Sequence, residues 1–175
     1  MARQLLQTSL DRRNSVRELL QIIFSTELLS PSKCLWIVSP WIRDIPILDN
    51  ATGGFATLSP DFPRSEVRLS RVLLELLGRG TRVVIVTRPE PDNMQIVDAL
   101  GQVVELDKAG EQLTFQQRGD LHAKGIVSDH CSLIGSMNFT YKGLDHSTEL
   151  LIFDTDASAV EQSRISFFGE YGGQL

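Results

Sequence analysis

Two short runs decide most of what this chain can become: CLWIV at 34–38 and VVIV at 83–86. Neither carries a charged or strongly polar residue. A strand that is apolar at every position has both faces buried, as in a sheet covered by helices on its two sides. Stretches with helical spacing surround these runs. Residues 14–29 repeat apolar side chains at Val16, Leu19, Leu20, Ile23 and Phe24, with Asn14 or Ser15 placed to cap the start. Residues 66–80 read as an amphipathic helix stopped by Gly78 or Gly80. Residues 92–102 read as a short helix and 157–171 as a terminal one. Further strands are expected over 103–108, 113–119, 121–128, 131–135 and 148–154. This order predicts one α/β domain, a mixed central sheet flanked by helices. Residues 1–33 form its N-terminal helical segment and 34–171 its core.

Bulk properties narrow the function classes. A chain of 175 residues, 42% hydrophobic, suits one domain with a full core. The net charge of −5 argues against a broadly basic nucleic-acid binder, while leaving room for a local basic groove. No run approaches the length of a membrane span, and the first residues lack the apolar core of a signal peptide. A cytoplasmic protein that does not enter the membrane is therefore expected. Cys34 and Cys131 lie in apolar, strand-like stretches and are expected as buried reduced thiols, too few for a disulfide framework or a zinc cluster.

The chemistry concentrates in DLHAKGIVSDHCSLIGSMNFT, residues 120–140. On a strand, His122, Lys124, Ile126 and Ser128 share one face, and His122 and Lys124 stand about 7 Å apart, two strand rises. One phosphate group could touch both. Asp129 has the opposite parity and falls at the expected hairpin turn, and residues 131–135 form the return strand. GSMNFTYKGL then reads as a strand end turning into a short helix, with Asn138 as its N-cap and backbone N–H groups as an anion cradle. Taken singly these pieces are ordinary: a histidine on a strand, a solvated lysine, an aspartate at a turn. The ordered set is not.

That set is identified as the signature of the phospholipase D superfamily, H-x-K, four residues, D, then G-S-x-N. It is carried here without departure by His122, Lys124, Asp129, Gly135, Ser136 and Asn138. Glu149 occupies the place of the superfamily's downstream Glu. The resemblance implies a phosphodiesterase that needs no cofactor and no metal. His122 would attack phosphorus to form a phosphohistidine, and Lys124, Ser136 and Asn138 would bind the phosphate. Glu149 would fix the imidazole tautomer, and Asp129 would support the geometry of the catalytic set. A second histidine must protonate the leaving alcohol. The other histidines, His130 and His146, have no Lys two places on, so the chain holds one motif where the superfamily's site uses two. The resemblance therefore implies a homodimer with the two motifs facing each other.

A nuclease acting on DNA or RNA is the leading expectation, with a phospholipase or phosphatidyltransferase as one alternative. A nucleic-acid-binding accessory subunit with protein partners is the other. The chain as a whole also resembles the DpdK-type proteins of bacterial deazaguanine DNA-modification systems. The connection 41–65 is too long and too rich in Gly and Pro for a simple turn, and loops of this kind often line sites. In it, Trp41, Arg43 and Phe55 are candidates for substrate contact, Trp41 either stacking on a base or packing at a strand end. Arg118, four residues before His122, is placed to border the cleft, and His146 is expected to be peripheral.

Overall fold

The computed structural model describes residues 2–8, 15–104 and 112–175. The chain runs β1 (Arg3–Gln7), α1 (Ser15–Leu29), β2 (Cys34–Val38), β3 (Pro46–Asp49), β4 (Glu66–Arg68), α2 (Leu69–Gly78) and β5 (Arg82–Thr87). A 3₁₀ turn at Pro91–Asn93 leads into α3 (Met94–Val104), followed by β6 (Leu113–Gln117), β7 (Gly125–Val127) and β8 (Ser132–Gly135). A short α4 (Tyr141–Asp145), β9 (Glu149–Asp154) and α5 (Ala157–Tyr171) complete it. Seven strands form one mixed sheet in the order β1-β9-β8-β7-β2-β5-β6, and β3 and β4 form a separate hairpin. The β2/β5 and β5/β6 pairs are parallel, and the pairs on the β7 side are antiparallel.

The all-apolar runs become the middle of this sheet. Leu35, Ile37, Val83 and Ile85 face α1, α2 and α3 and join the larger core cluster. Trp36, Val38, Val84 and Val86 face the opposite way and pack with Val127, Leu121 and Tyr171 beneath α5. Trp36 also ties the α5 end to the sheet, its indole N–H donating to the Gly172 carbonyl at 2.8 Å. Cys34 and Cys131 are free and buried, and burial pushes each thiol up to about 11.

Coverage is complete only over the middle of the sheet. On β8, β9 and β1 the residues alternate, with Leu133, Leu151 and Leu5 packed toward the helices. Ile134, Leu150, Ile152 and Leu6 point the other way, with 39 to 63% of their surface exposed. Cross-strand pairs Ile134–Ile152 and Leu6–Leu150 make these side chains one contiguous apolar face.

Several elements differ from expectation. The N-terminal segment is not purely helical: Arg3–Gln7 is a strand on β9, held in register from Arg3 to Gln7. Residues 66–68 leave the expected helix to pair with β3, so the 41–65 connection contains half of a hairpin. Residues 103 and 104 finish α3 instead of opening a strand, and the remainder of that expected strand lies outside the described residues. The strand expected over 121–128 is regular only from Gly125 to Val127. The cap of α4 is Thr140, whose side chain accepts from the Gly143 amide, not Asn138.

Candidate active site

All of the motif residues except Asp129 lie toward one end of the sheet. There the parallel strands β2 and β5 end, β7 begins, and the β8–β9 connection passes. Open α/β sheets present ligand crevices at the carboxyl ends of their strands. His122 and Lys124 lie in the extended segment entering β7, with His122 exposed and Lys124 half-buried. Lys124 Nζ donates to the His122 carbonyl at 2.7 Å, so the ammonium is folded back beside the imidazole's own backbone.

Asn138 arrives from the other side of β7. Gly135 permits this, since a Cβ there would fall inside van der Waals contact with the Leu150 carbonyl and 2.8 Å from Leu151 Cδ2. The β2 loop is stitched to Asn138 through Ser39, which is buried. Its hydroxyl donates to the Trp41 carbonyl at 2.8 Å, lies 3.4 Å from Asn138 Oδ1, and accepts from the Phe139 amide. Glu149 is buried and accepts the Ser136 hydroxyl, and that hydroxyl also accepts from the Leu150 amide at 3.0 Å. Among the described residues no hydrogen bond joins Glu149 to His122 within one subunit.

The imidazole meets an arginine instead. Arg88 Nη2 lies 3.0 Å from His122 Nε2 and 3.5 Å from Nδ1, while Arg88 Nε donates to the Leu121 carbonyl at 2.9 Å. The guanidinium also stands over the Trp41 ring, 5.2 Å from its centroid. Burial, and secondly the charge of Arg88, hold the Lys124 ammonium below the usual lysine range; Glu149 opposes this. Two cations thus share the site with one buried carboxylate.

Asp129 is not with them. It follows β7 at the end remote from His122, accepts the Lys33 amide at 2.9 Å and pairs with Arg164 of α5. Arg43 lines the cleft beside Trp41, yet its guanidinium is engaged by Asn93 and Asp92. Phe55 packs against the main core. Arg118 is drawn to α5, pairing with Glu170 and standing over Tyr171. His146 caps the end of α4, and His130 bonds the Ser30 carbonyl at 2.6 Å.

Sequence reasoning missed Arg88, Ser39 and Asn93. Asn93 is fully buried and joins both strand ends: its Nδ2 donates to the carbonyls of Pro40 and Arg88, and its Oδ1 accepts from the Ile42 amide. The one signal was position, since Ser39 and Arg88 each follow directly on a buried parallel strand. A cleft of about 490 Å³ opens beside Asn138 and Glu149, lined also by Trp41, Tyr141 and Lys142. A larger cavity of about 750 Å³ lies between α1 and the β3–β4 hairpin and contains none of the motif residues.

The family model for the PLD-like domain of cardiolipin synthase matches residues 45–168, well over half of the chain. The chain belongs to the phospholipase D superfamily. Members of this superfamily are phosphodiesterases. No curated protein sequence matches the chain. Among solved structures, Nuc from Salmonella typhimurium, a phospholipase D family member, is similar over 98% of this chain and 94% of its own, with 13% identity and a TM-score of 0.60. NucT from Helicobacter pylori is similar over 98% and 96%, with 11% identity and a TM-score of 0.54. The phosphatidylserine synthase of Haemophilus influenzae is 18% identical over 94% of this chain but only 37% of its own, with a TM-score of 0.57. At these identities the likeness is one of fold. Among the described residues no helix is long and apolar enough to cross a membrane.

Proposed function

We propose that this protein is a metal-independent phosphodiesterase that cleaves nucleic acid through a phosphohistidine. The observation that carries the reading is the convergence of the His122–Lys124 segment and Asn138, which follows β8, onto one sheet end. Phosphodiesters resist attack because they are anionic, so catalysis rests on positioning and on neutralising the phosphate oxygens. Lys124 and the Asn138 amide supply that neutralisation, with Ser136 beside them. The Nε2 lone pair of His122 forms the N–P bond as the bond from phosphorus to the leaving oxygen breaks. The leaving oxygen keeps the electron pair and takes a proton from a second imidazole. Water then attacks phosphorus, gives its proton to that second imidazole, and releases His122.

The second imidazole is His122 of another copy. The exposed face of Leu6, Ile134, Leu150 and Ile152 adjoins the site through Leu150 and supports such pairing. Covering half-exposed side chains of this kind contributes on the order of 1 kcal/mol each. A two-fold contact places identical residues opposite one another. Glu149, held by Ser136 in one subunit, positions the imidazole within the paired site.

Nucleic acid is favoured over lipid by the cleft. Exposed Trp41 and Tyr141 offer faces on which a base can stack, and Lys142 stands beside them. The overall charge of −5 limits non-specific affinity for DNA, which comes from Lys and Arg. Protein partners of a DNA-modification system, as in the DpdK-type resemblance, would supply the remaining contacts.

The test is incubation in EDTA with labelled single- and double-stranded nucleic acid and with a phosphatidylcholine reporter. Cleavage of nucleic acid that His122→Ala abolishes supports the nuclease. Choline release supports the lipase, and binding without turnover of either supports the accessory role.

A further inference from the structure

The site contains a cation that the motif does not supply. Arg17, Arg43, Arg79, Arg118 and Arg164 each pair with a carboxylate. Among the described residues Arg88, like Arg68 and Arg82, has no carboxylate partner; what sets it apart is that it holds the candidate nucleophile. A guanidinium has donors only, so the ring nitrogen 3.0 Å from Nη2 must present its lone pair to it. That lone pair is the one needed for attack on phosphorus.

We propose that Arg88 caps Nε2 of His122 in the free protein and transfers its Nη2 donor to a phosphate oxygen when substrate binds. The inference rests on the phosphodiesterase reading for the chemistry after binding, but not for the cap itself. Three features support the transfer. The stem is held: Arg88 Nε is bonded to the Leu121 carbonyl, and Asn93 bonds the Arg88 carbonyl at 2.9 Å. The guanidinium is a rigid plane, so it pivots as one unit about the Nε–Leu121 hydrogen bond and carries Nη2 off the imidazole. The Trp41 face beneath the guanidinium gives it a support that a rotation does not break. Lys124 and Arg88 repel one another, and an anion between two cations relieves that repulsion. Arginine is suited to the task because it binds phosphate with directed, charge-assisted donors. Arg88 would thus keep the nucleophile unreactive until a phosphate arrives, and then act as a second phosphate cation beside Lys124.

Diethyl pyrocarbonate tests this without turnover, because it acylates unprotonated imidazole nitrogen. At pH 8, peptide mass spectrometry reads the rate at His122, with His130 and His146 as internal references. Arg88→Met keeps the stem and removes the donors. It is expected to raise the His122 rate about fivefold or more and leave the two references unchanged. Bound inorganic phosphate takes the Arg88 donor but itself covers Nε2, so it should protect His122 in the unaltered protein, and Arg88→Met should raise the half-protecting concentration about tenfold. An unchanged His122 rate, or unchanged phosphate protection, overturns the proposal. Should all three histidines accelerate together, Arg88→Met has loosened the fold and Arg88→Lys decides. The proposal then requires phosphate protection stronger than in Arg88→Met, and equal protection in the two variants overturns it. These readouts need no hydrolysis. If they hold while no phosphodiester is cleaved, the cap stands and the phosphodiesterase reading fails.

Discussion

Arg164 Nη2 lies 3.0 Å from Asp129 Oδ1, at the end of β7 away from His122. Through this ion pair the motif's aspartate fastens α5 to the β7–β8 turn, and through its other oxygen it holds the Lys33 amide entering β2. Its side-chain contacts are with the fold, to the Lys33 amide and Arg164. Both side chains are largely shielded; removing Asp129 takes away one of the two carboxylates on Arg164, Glu161 being the other, and leaves the Lys33 amide without its acceptor. Asp129→Ala is expected to cost about 2–3 kcal/mol of stability. Its kcat/KM per folded molecule should stay within about threefold of the parent. Denaturant melts combined with phosphodiesterase assays on the folded fraction check both parts.

Gly143 governs Asn138 from outside the motif. A Cβ at Gly143 would fall inside van der Waals contact with the Asn138 carbonyl oxygen and 3.3 Å from its carbonyl carbon. Gly143→Ala must therefore shift the Asn138 backbone. If Asn138 binds phosphate as proposed, its displacement should lower kcat/KM by roughly 10- to 100-fold. Overpacking should cost about 1–3 kcal/mol of stability as well. A Gly143→Ala protein with full activity would show that Asn138 does not need its present position.

Lys124 predicts the alkaline limb of the pH profile. In the proposed mechanism its ammonium must be charged to bind phosphate, and burial together with Arg88 lowers its pKa below the ordinary lysine value. Activity should therefore decline at a pH below the ordinary range near ~10.4. Arg88→Met removes one of the lowering influences and should move the limb upward. Initial rates across pH 7 to 11, with folding followed by circular dichroism, give the comparison.

Glu27 makes a contribution of the opposite kind. It is fully buried, and burial raises its carboxyl pKa against the opposing hydrogen bonds of Ser128 and Ser32 and the charge of His130. A carboxyl whose folded pKa lies above its unfolded one destabilises the fold as pH rises. The cost is absent below the unfolded value near ~4.3 and complete above the folded one. Glu27→Gln should therefore gain thermal stability relative to the parent as pH increases from 4 to 8. A difference in Tm that stays flat with pH would contradict this.

Much of this was legible in the sequence because burial leaves a pattern. CLWIV and VVIV could only be strands covered on both faces, and residues 157–171 form the terminal helix with the expected bounds. The H-x-K spacing brought His122 and Lys124 to one place even though their segment is extended coil and not strand. What stayed hidden depended on tertiary partners. RQLLQ becomes a strand because β9 offers it an edge, and EVR leaves a helical pattern because β3 does. Thr140 displaced Asn138 as the α4 cap because Asn138 is held back by Ser39 and by the turn onto Thr140. Arg88 had no motif to mark it. Its role is visible only once β5 and β7 deliver it and His122 to the same end of the sheet.

In the proposed mechanism one chain carries half of a site, and mixed subunits distinguish this from a site complete in each chain. Parent protein is exchanged with a threefold excess of His122→Ala by dilution and reconcentration, and hydrolysis of bis(p-nitrophenyl) phosphate is followed in EDTA. If each centre needs His122 from both copies, activity per parent subunit should fall to about one quarter, the share of parent subunits that still find a parent partner. Activity per parent subunit that is unchanged after full exchange would mean that each chain works alone and that the site is not shared.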